Sequence, residues 1–270
     1  MPELPEVETT RLGLAPHIVG ACIENANVRE RRMRWPVEPG LEHRLPGLTL
    51  RRLDRRAKYL LFDFEVGQLM IHLGMSGSLR LVAPDAEIGK HDHFDLVFDN
   101  GLIMRFRDPR RFGSIHWLPE HGSHTLLEAL GPEPLSEHLS AQYLFDRSRG
   151  RSLAIKNFIM DNHIVVGVGN IYATEALFRA GISPKHAAGK VALARYERLV
   201  RAIRAVLAEA INQGGTTLRD FVGGTGDAGY FSLSLQAYGR EGEACTVCDT
   251  PMKGLRLGQR ATVYCPKCQR

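Results

Sequence analysis

What the chain lacks narrows it first. No run of eighteen apolar residues occurs in its 270 residues, so no membrane-spanning helix is encoded. The start Met1-Pro2-Glu3-Leu4-Pro5-Glu6 has neither the basic region nor the apolar stretch of a signal peptide, and a cytosolic or nuclear protein is expected. Cysteine is missing from every position between Cys22 and Cys245. A reducing compartment argues against a disulfide framework and leaves Cys22 as a buried thiol. No internal repeat is evident, and at this length two domains with a small appendage are expected.

Charge of one sign is scarce as well, with a formal net of only +5, but it is unevenly spread. Residues 29–58 carry ten Arg and Lys against four Asp and Glu. Arg105, Arg107, Arg110 and Arg111 form a second basic group around a single Asp108, and Lys253, Arg256, Arg260, Lys267 and Arg270 a third. Any one of these is compatible with a solvated face; three together suggest a long polyanion lying across several elements.

Apolar or small positions at Val7, Thr10, Leu14 and Ile18 follow helical spacing, with a stop at Gly20. From residue 58 to about 118 the pattern becomes strand-like, over 58–64, 67–73, 78–82, 94–99 and 102–107, with Asn100-Gly101 as a hairpin signal. This half reads as an antiparallel β-sandwich with flanking helices. Gly131-Pro132-Glu133-Pro134 breaks every regular pattern, and the remainder is mainly helical, over 152–161, 171–180 and 191–213. In the last of these Leu199, Ile203, Val206, Leu207 and Ile211 make a core stripe, while Arg198, Arg201 and Arg204 face water. Residues 214–231 are rich in Gly, Thr and Asp and read as a loop. The expected fold is α+β and multidomain, with domains at 1–130, 131–235 and 236–270.

Cys245-x2-Cys248 and Cys265-x2-Cys268 present two thiolate pairs with the spacing of a zinc site. Four thiolates leave no open position for water, so one structural Zn2+ is the expected cofactor. Gly254 and Gly258 between apolar runs suggest a β-hairpin that holds Arg260 at a fixed place. A ribbon that only staples a terminus remains the alternative, but five basic residues against one acid favour nucleic acid. Gly167-Val168-Gly169-Asn170 opens a helix with Asn170 at the cap position, which suits a phosphate or simply an ordinary capped helix.

Together, Pro2-Glu3-Leu4-Pro5-Glu6-Val7-Glu8, His72-Leu73-Gly74-Met75-Ser76-Gly77, Asp108-Pro109-Arg110-Arg111-Phe112-Gly113, 167–173 and the four-cysteine finger resemble the bacterial formamidopyrimidine-DNA glycosylases from end to end. The resemblance implies a helix-two-turn-helix element around 167–170, a zinc finger, and a flap at 216–230 over an extruded base. It also implies that Pro2, exposed by removal of Met1, is the nucleophile. Chemistry makes this intelligible: an α-amino group has a reference pKa of about 8, so an appreciable fraction is unprotonated near neutrality. A secondary amine forms a permanently charged iminium with the sugar C1′.

By the same resemblance Glu3 is the catalytic carboxylate, and Glu6 and Glu175 support the site. Lys58 and Arg260, counted with the catalytic set, share with His72 and Asn170 the positions that meet phosphates flanking the lesion. Lys156 matches a further active-site position. Met75, Arg110 and Phe112, with Arg111 beside them, match the residues that fill the vacated stack.

The expected function is excision of oxidised purines such as 8-oxoguanine and formamidopyrimidines from duplex DNA, followed by β,δ-elimination. A monomer in the bacterial cytosol is expected, with no membrane partner. The rivals are an endonuclease VIII-type enzyme for oxidised pyrimidines, whose members lack the Arg110-Arg111-Phe112 constellation, and an inert DNA-binding module, which has no need of Pro2 next to the initiator.

Overall fold

The structure, a computed structural model, describes residues 2–120, 122, 124–215 and 234–270. The described residues fall in two compact units, one within Met1–Glu128 and Gln213–Ser232, the other within Ala129–Asn212 and Leu233–Arg270. The expected flap at 216–230 lies outside the described residues.

The amino-terminal periodicity becomes helix α1 (Leu4–Ile18). Glu3 caps it, Glu3 and Glu6 form a reciprocal capping box, and Pro5 sits in the first turn, where its missing N–H leaves no helical bond unmade. The strands that follow are β1 (Ile23–Val28), β2 (Arg52–Arg56), β3 (Tyr59–Phe64), β4 (Gly67–His72), β5 (Ser78–Val82), β6 (Asp92–Phe98), β7 (Ile103–Arg107) and β8 (Ser114–Pro119), with short helices α2 (Leu41–Arg44) and α3 (Thr125–Glu128). They form two antiparallel sheets, β1-β6-β7-β5 and β2-β3-β4-β8.

Period-two alternation turns Leu60, Phe62, Leu69, Ile71 and Ile115 of one sheet and Phe94, Leu96, Met104 and Phe106 of the other into one buried cluster with Val7, Leu14 and Ile18 of α1. At roughly 1.5–3 kcal/mol per fully buried large side chain, this cluster is the main stabilising term of the first unit. Strands β1 and β2 do not stand out in the sequence because they are edge strands. Arg52 and Asp54 point their charges outward while Leu53 faces the core. At Asn100-Gly101 the expected hairpin forms, but over a longer loop: Phe98 N–H bonds Leu102 C=O at 2.9 Å and Gly101 takes φ +80°.

The second unit contains α4 (Ala141–Ser148), α5 (Ile155–Ile159), α6 (Asn170–Ala180), a 3-10 turn at Ala188–Lys190, α7 (Leu193–Asn212) and a hairpin of β9 (Lys253–Leu257) and β10 (Arg260–Tyr264). The helix expected over 152–161 is only α5, because Ala154 is extended and bridges to Ala187. Helix α6 ends at Gly181 with φ +67°, and the stripe of Leu199, Ile203, Val206 and Leu207 on α7 is buried as expected. Arg204 does not simply face water: it donates to the carbonyls of Pro134, Ser136 and Leu139. The helix thereby fastens the turn that follows Gly131–Pro134.

Candidate functional site

In the first unit, Pro2, Glu3 and Glu6 are all buried where α1 begins. The Glu6 carboxylate accepts the Glu3 backbone N–H at 2.8 Å, which fixes Glu3 in extended conformation immediately after Pro2. Gly215, with φ +80°, lies against Glu6: a Cβ there would stand 3.2 Å from Glu6 Oε1.

Lys58 occupies the turn between β2 and β3, beside Ala57 at φ +55°. His72 ends β4, directly opposite Tyr59, and their rings lie 4.8 Å apart. Burial is the largest influence on His72 and the positive charges of Lys58 and Arg34 add to it, so its pKa is pushed down to about 4. Gly74 N–H donates to Nδ1 at 3.0 Å, so neutral His72 carries its proton on Nε2. His72, expected to meet a phosphate, is therefore held as a neutral N–H donor among cations.

Met75 and the run Arg110–Phe112 stand on two interlocked loops. Asp108 is fully buried at their junction. Its Oδ1 accepts Ser76 Oγ–H at 2.7 Å and Arg110 N–H at 3.3 Å, and its Oδ2 accepts Gly113 N–H at 2.8 Å. Phe112 remains 39% exposed, with the Arg110 guanidinium 4.9 Å above its ring. Arg111, at φ +54°, pairs with Glu30 at 3.1 Å.

In the second unit, Gly258 and Gln259, with φ +52° and +63°, close the two-residue turn between β9 and β10 and leave Arg260 exposed. Lys156 Nζ donates to Ala261 C=O at 3.1 Å and Thr262 Oγ1 at 2.8 Å, and Asn170 Nδ2 donates to the same Ala261 carbonyl at 3.1 Å. Two side chains thus converge on the residue next to Arg260. Lys156, expected at an active-site position, is fully buried and anchors the hairpin. Asn170 departs from its expected cap position by one residue: Gly169 is the N-cap of α6, because the Asn170 amide turns to Ala261.

Glu175, expected to support the site, is fully buried on α6. Its carboxylate accepts the backbone N–H groups of Gln236, Ala237 and Tyr238 at 3.0, 2.9 and 2.8 Å and clasps the chain leading into the finger. The four cysteine sulfurs lie within 4.8 Å of one another, with Cys248–Cys265 at 3.5 Å and Cys245–Cys268 at 4.0 Å. A tetrahedron with Zn–S bonds of about 2.3 Å has edges of about 3.8 Å, so the thiolates fit one structural zinc.

Residues 1–115 match the family model of the formamidopyrimidine-DNA glycosylase N-terminal domain, 130–222 that of the formamidopyrimidine-DNA glycosylase H2TH domain, and 242–270 that of the zinc finger found in FPG and IleRS. A formamidopyrimidine-DNA glycosylase of Acidithiobacillus ferrooxidans is 57% identical over the whole of both chains. The chain belongs to the formamidopyrimidine-DNA glycosylase family. Among solved structures of this family, a Lactococcus lactis FPG mutant in complex with Fapy-dG-containing DNA superposes with a TM-score of 0.91, at 32% identity and full coverage of both chains. MutM in complex with carbocyclic 8-oxo-G-containing DNA gives 0.92 at 33%, again over both full chains.

As a member of the glycosylase family the chain is an enzyme, and the geometry sorts its expected cations. Much of the basic stretch is neutralised internally: Arg29 pairs with Asp95, Arg31 with Glu42, Arg44 with Glu38 and Arg55 with Glu8. Arg105, counted in the second basic group, is buried on Asp95 and donates to the carbonyls of Ala86 and Glu87. Arg110 and Arg260 are the exposed counterparts on rigid turns. Sequence reasoning missed Asp108, Ser76 and His93, since the contacts that give them importance join residues far apart in the chain. Among the described residues, no helix is long and apolar enough to cross a membrane.

Proposed function

We propose that this glycosylase excises oxidised purines, 8-oxoguanine and formamidopyrimidines, from duplex DNA and then cleaves the strand by β,δ-elimination. One observation carries the reading beyond family membership: Pro2, Glu3 and Glu6 are buried together at a capped helix start, so the amine that follows Met1 is fixed beside a carboxylate. With Met1 removed, the Pro2 nitrogen lone pair attacks the sugar C1′ as the C1′–base bond breaks, and the base leaves with a proton delivered under Glu3 assistance. The attached Pro2 nitrogen then loses its proton and its lone pair opens the C1′–O4′ bond as O4′ takes up a proton, which gives the iminium. Loss of a C2′ proton passes an electron pair through the iminium to an enamine that expels the 3′ phosphate, and loss of the C4′ proton in a second elimination expels the 5′ phosphate. The solved relatives with Fapy-dG- and 8-oxo-G-containing DNA support this substrate class.

Lys58, His72, Asn170 and Arg260 act as donors to the phosphates around the lesion, with His72 contributing through neutral Nε2–H. Met75, Arg110 and Phe112 enter the stack, and Arg111 lies with them against the duplex. An exposed aromatic residue on a rigid turn can unstack a base step, an insertion that costs a few kcal/mol and is offset by the contacts it opens. Zinc supplies structure alone, fixing the hairpin that carries Arg260. The working division of the chain is 1–130, 131–235 and 236–270, acting as a monomer in the bacterial cytosol.

Borohydride trapping tests the reading. The processed protein should form a covalent adduct with duplexes containing 8-oxoguanine, and protein with a retained residue before Pro2 should form none, because an amide nitrogen is not nucleophilic. Full trapping with a blocked terminus would defeat the assignment of Pro2, and a strong preference for oxidised thymine would defeat the assignment of substrate.

A further inference from the structure

The wedge turn holds a buried carboxylate that the chemistry above does not use. Every polar atom of Asp108 is engaged: besides the three bonds to its carboxylate, its N–H donates to His91 C=O at 3.0 Å, and its own C=O accepts Arg111 N–H at 3.2 Å and His93 Nε2–H at 2.9 Å. Three of these partners, Ser76, His91 and His93, come from outside the turn. Ser76 belongs to the loop carrying Met75, 32 residues away, and buried His93 lies on β6, 15 residues away. A residue needed only to make a tight turn would find its partners within the turn.

The loops are also locked sterically. A Cβ on Gly74, itself at φ +67°, would collide with the backbone of Phe112 and Gly113, so the Met75 loop and the Phe112 backbone touch without side chains between them. Arg111 is held in the left-handed region, a conformation that persists in a non-glycine residue only where the surroundings over-determine it. Met75, Arg110 and Phe112 are thereby fixed relative to one another by bonds that meet at one buried residue.

We propose that His93 and Ser76, acting through Asp108, are positioning residues that hold Met75, Arg110 and Phe112 as a single preformed wedge. Their contribution falls on extrusion of the lesion and not on bond breaking. This inference rests on the functional reading above, in which the turn enters the duplex.

The test compares single-turnover processing of two duplexes, one with 8-oxoguanine and one with an abasic site, each opposite cytosine. The abasic site has no base to extrude. His93→Leu should slow processing of 8-oxoguanine by about tenfold or more and of the abasic site by less than about threefold. His93→Gln, which keeps an N–H donor, should recover most of the loss. If His93→Leu does not fold, as judged by its melting curve, Ser76→Ala carries the test with a smaller loss of the same selectivity. Equal losses on both duplexes, or no loss on 8-oxoguanine, would overturn the proposal while leaving the enzymatic reading intact. An unaltered enzyme inactive on both duplexes would sink the enzymatic reading and the wedge with it.

Discussion

The turn at 108–113 and the hairpin tip at 258–260 both present an arginine to solvent from beside a non-glycine residue in the left-handed region, Arg111 at φ +54° and Gln259 at φ +63°. They are made rigid by different means. The first stands on a unit with a large apolar cluster, and there a buried carboxylate with three hydrogen bonds suffices to organise it. The second belongs to a short terminal segment whose apolar set is little more than Phe178, Ala237, Met252 and Val263 around the cysteines. So small a core does not offset the conformational entropy of ordering the chain, and zinc binding, with an apparent free energy of about 10–16 kcal/mol in comparable small sites, closes the gap.

The largest expected effect follows from removing the metal. Chelation, or Cys265→Ser, should unfold the hairpin, release Arg260 and reduce affinity for lesion-containing duplex by about a hundredfold or more, since the metal supplies the folding free energy of the segment. The melting transition of the first unit should stay in place, because its core contains none of these cysteines. Calorimetry and fluorescence anisotropy on one preparation, before and after chelation, read both halves. Loss of the first unit's transition on chelation would erase the distinction between a core-supported and a metal-supported turn.

A smaller effect should appear with pH in the first unit. His72 and His116 are both held down to about 4, chiefly by burial. The unfolded chain binds these protons near pH 6.5, whereas the folded chain takes them up only near pH 4. Stability is therefore full above pH 6.5 and is lost as pH falls toward 4, by at most about 1.4 kcal/mol per pH unit for His72 and by less for half-buried His116, where solvent screens the charge. Acid also threatens the zinc thiolates, so the comparison that isolates His72 is with His72→Gln: melting temperature plotted from pH 7.5 to 4.5 should fall less steeply for the variant. Parallel curves would mean that His72 is not held neutral.

The same contrast explains how much could be read from the sequence. The four cysteines announce themselves because their chemistry depends on a local spacing, and the hairpin between them follows from two glycines. The helix start at Leu4 and the strands β3 to β7 were legible because apolar periodicity is also local. Asp108 was not: in sequence it is one acid among arginines, and its importance comes from Ser76 and His93 across the fold. Glu175 and Lys156 were visible only through family resemblance, and their bonds to residues 236–238 and 261–262 span sixty or more positions. Arg105 looked like part of a binding surface because a charge count cannot see that Asp95 lies opposite it on the neighbouring strand. The edge strands β1 and β2 were hidden by the polar side chains that keep edges from pairing.

The smallest effect concerns the strain that the two turns share. In a two-residue turn with both φ angles positive, glycine is preferred at the second position, which Gln259 occupies. Holding a side chain in the left-handed region costs about 1–2 kcal/mol, while glycine loses about 0.5–1 kcal/mol more backbone entropy on folding. The difference favours Gln259→Gly by about 0.5–1 kcal/mol. The hairpin should hold its zinc longer against chelator, by a few-fold, with the salt dependence of DNA binding unchanged because Arg260 keeps its place. At Arg111 the same replacement would relieve similar strain and lose a guanidinium paired with Glu30. If Gln259→Gly released zinc faster, the side chain at 259 would be supporting the turn instead of straining it, and the parallel with Arg111 would fail.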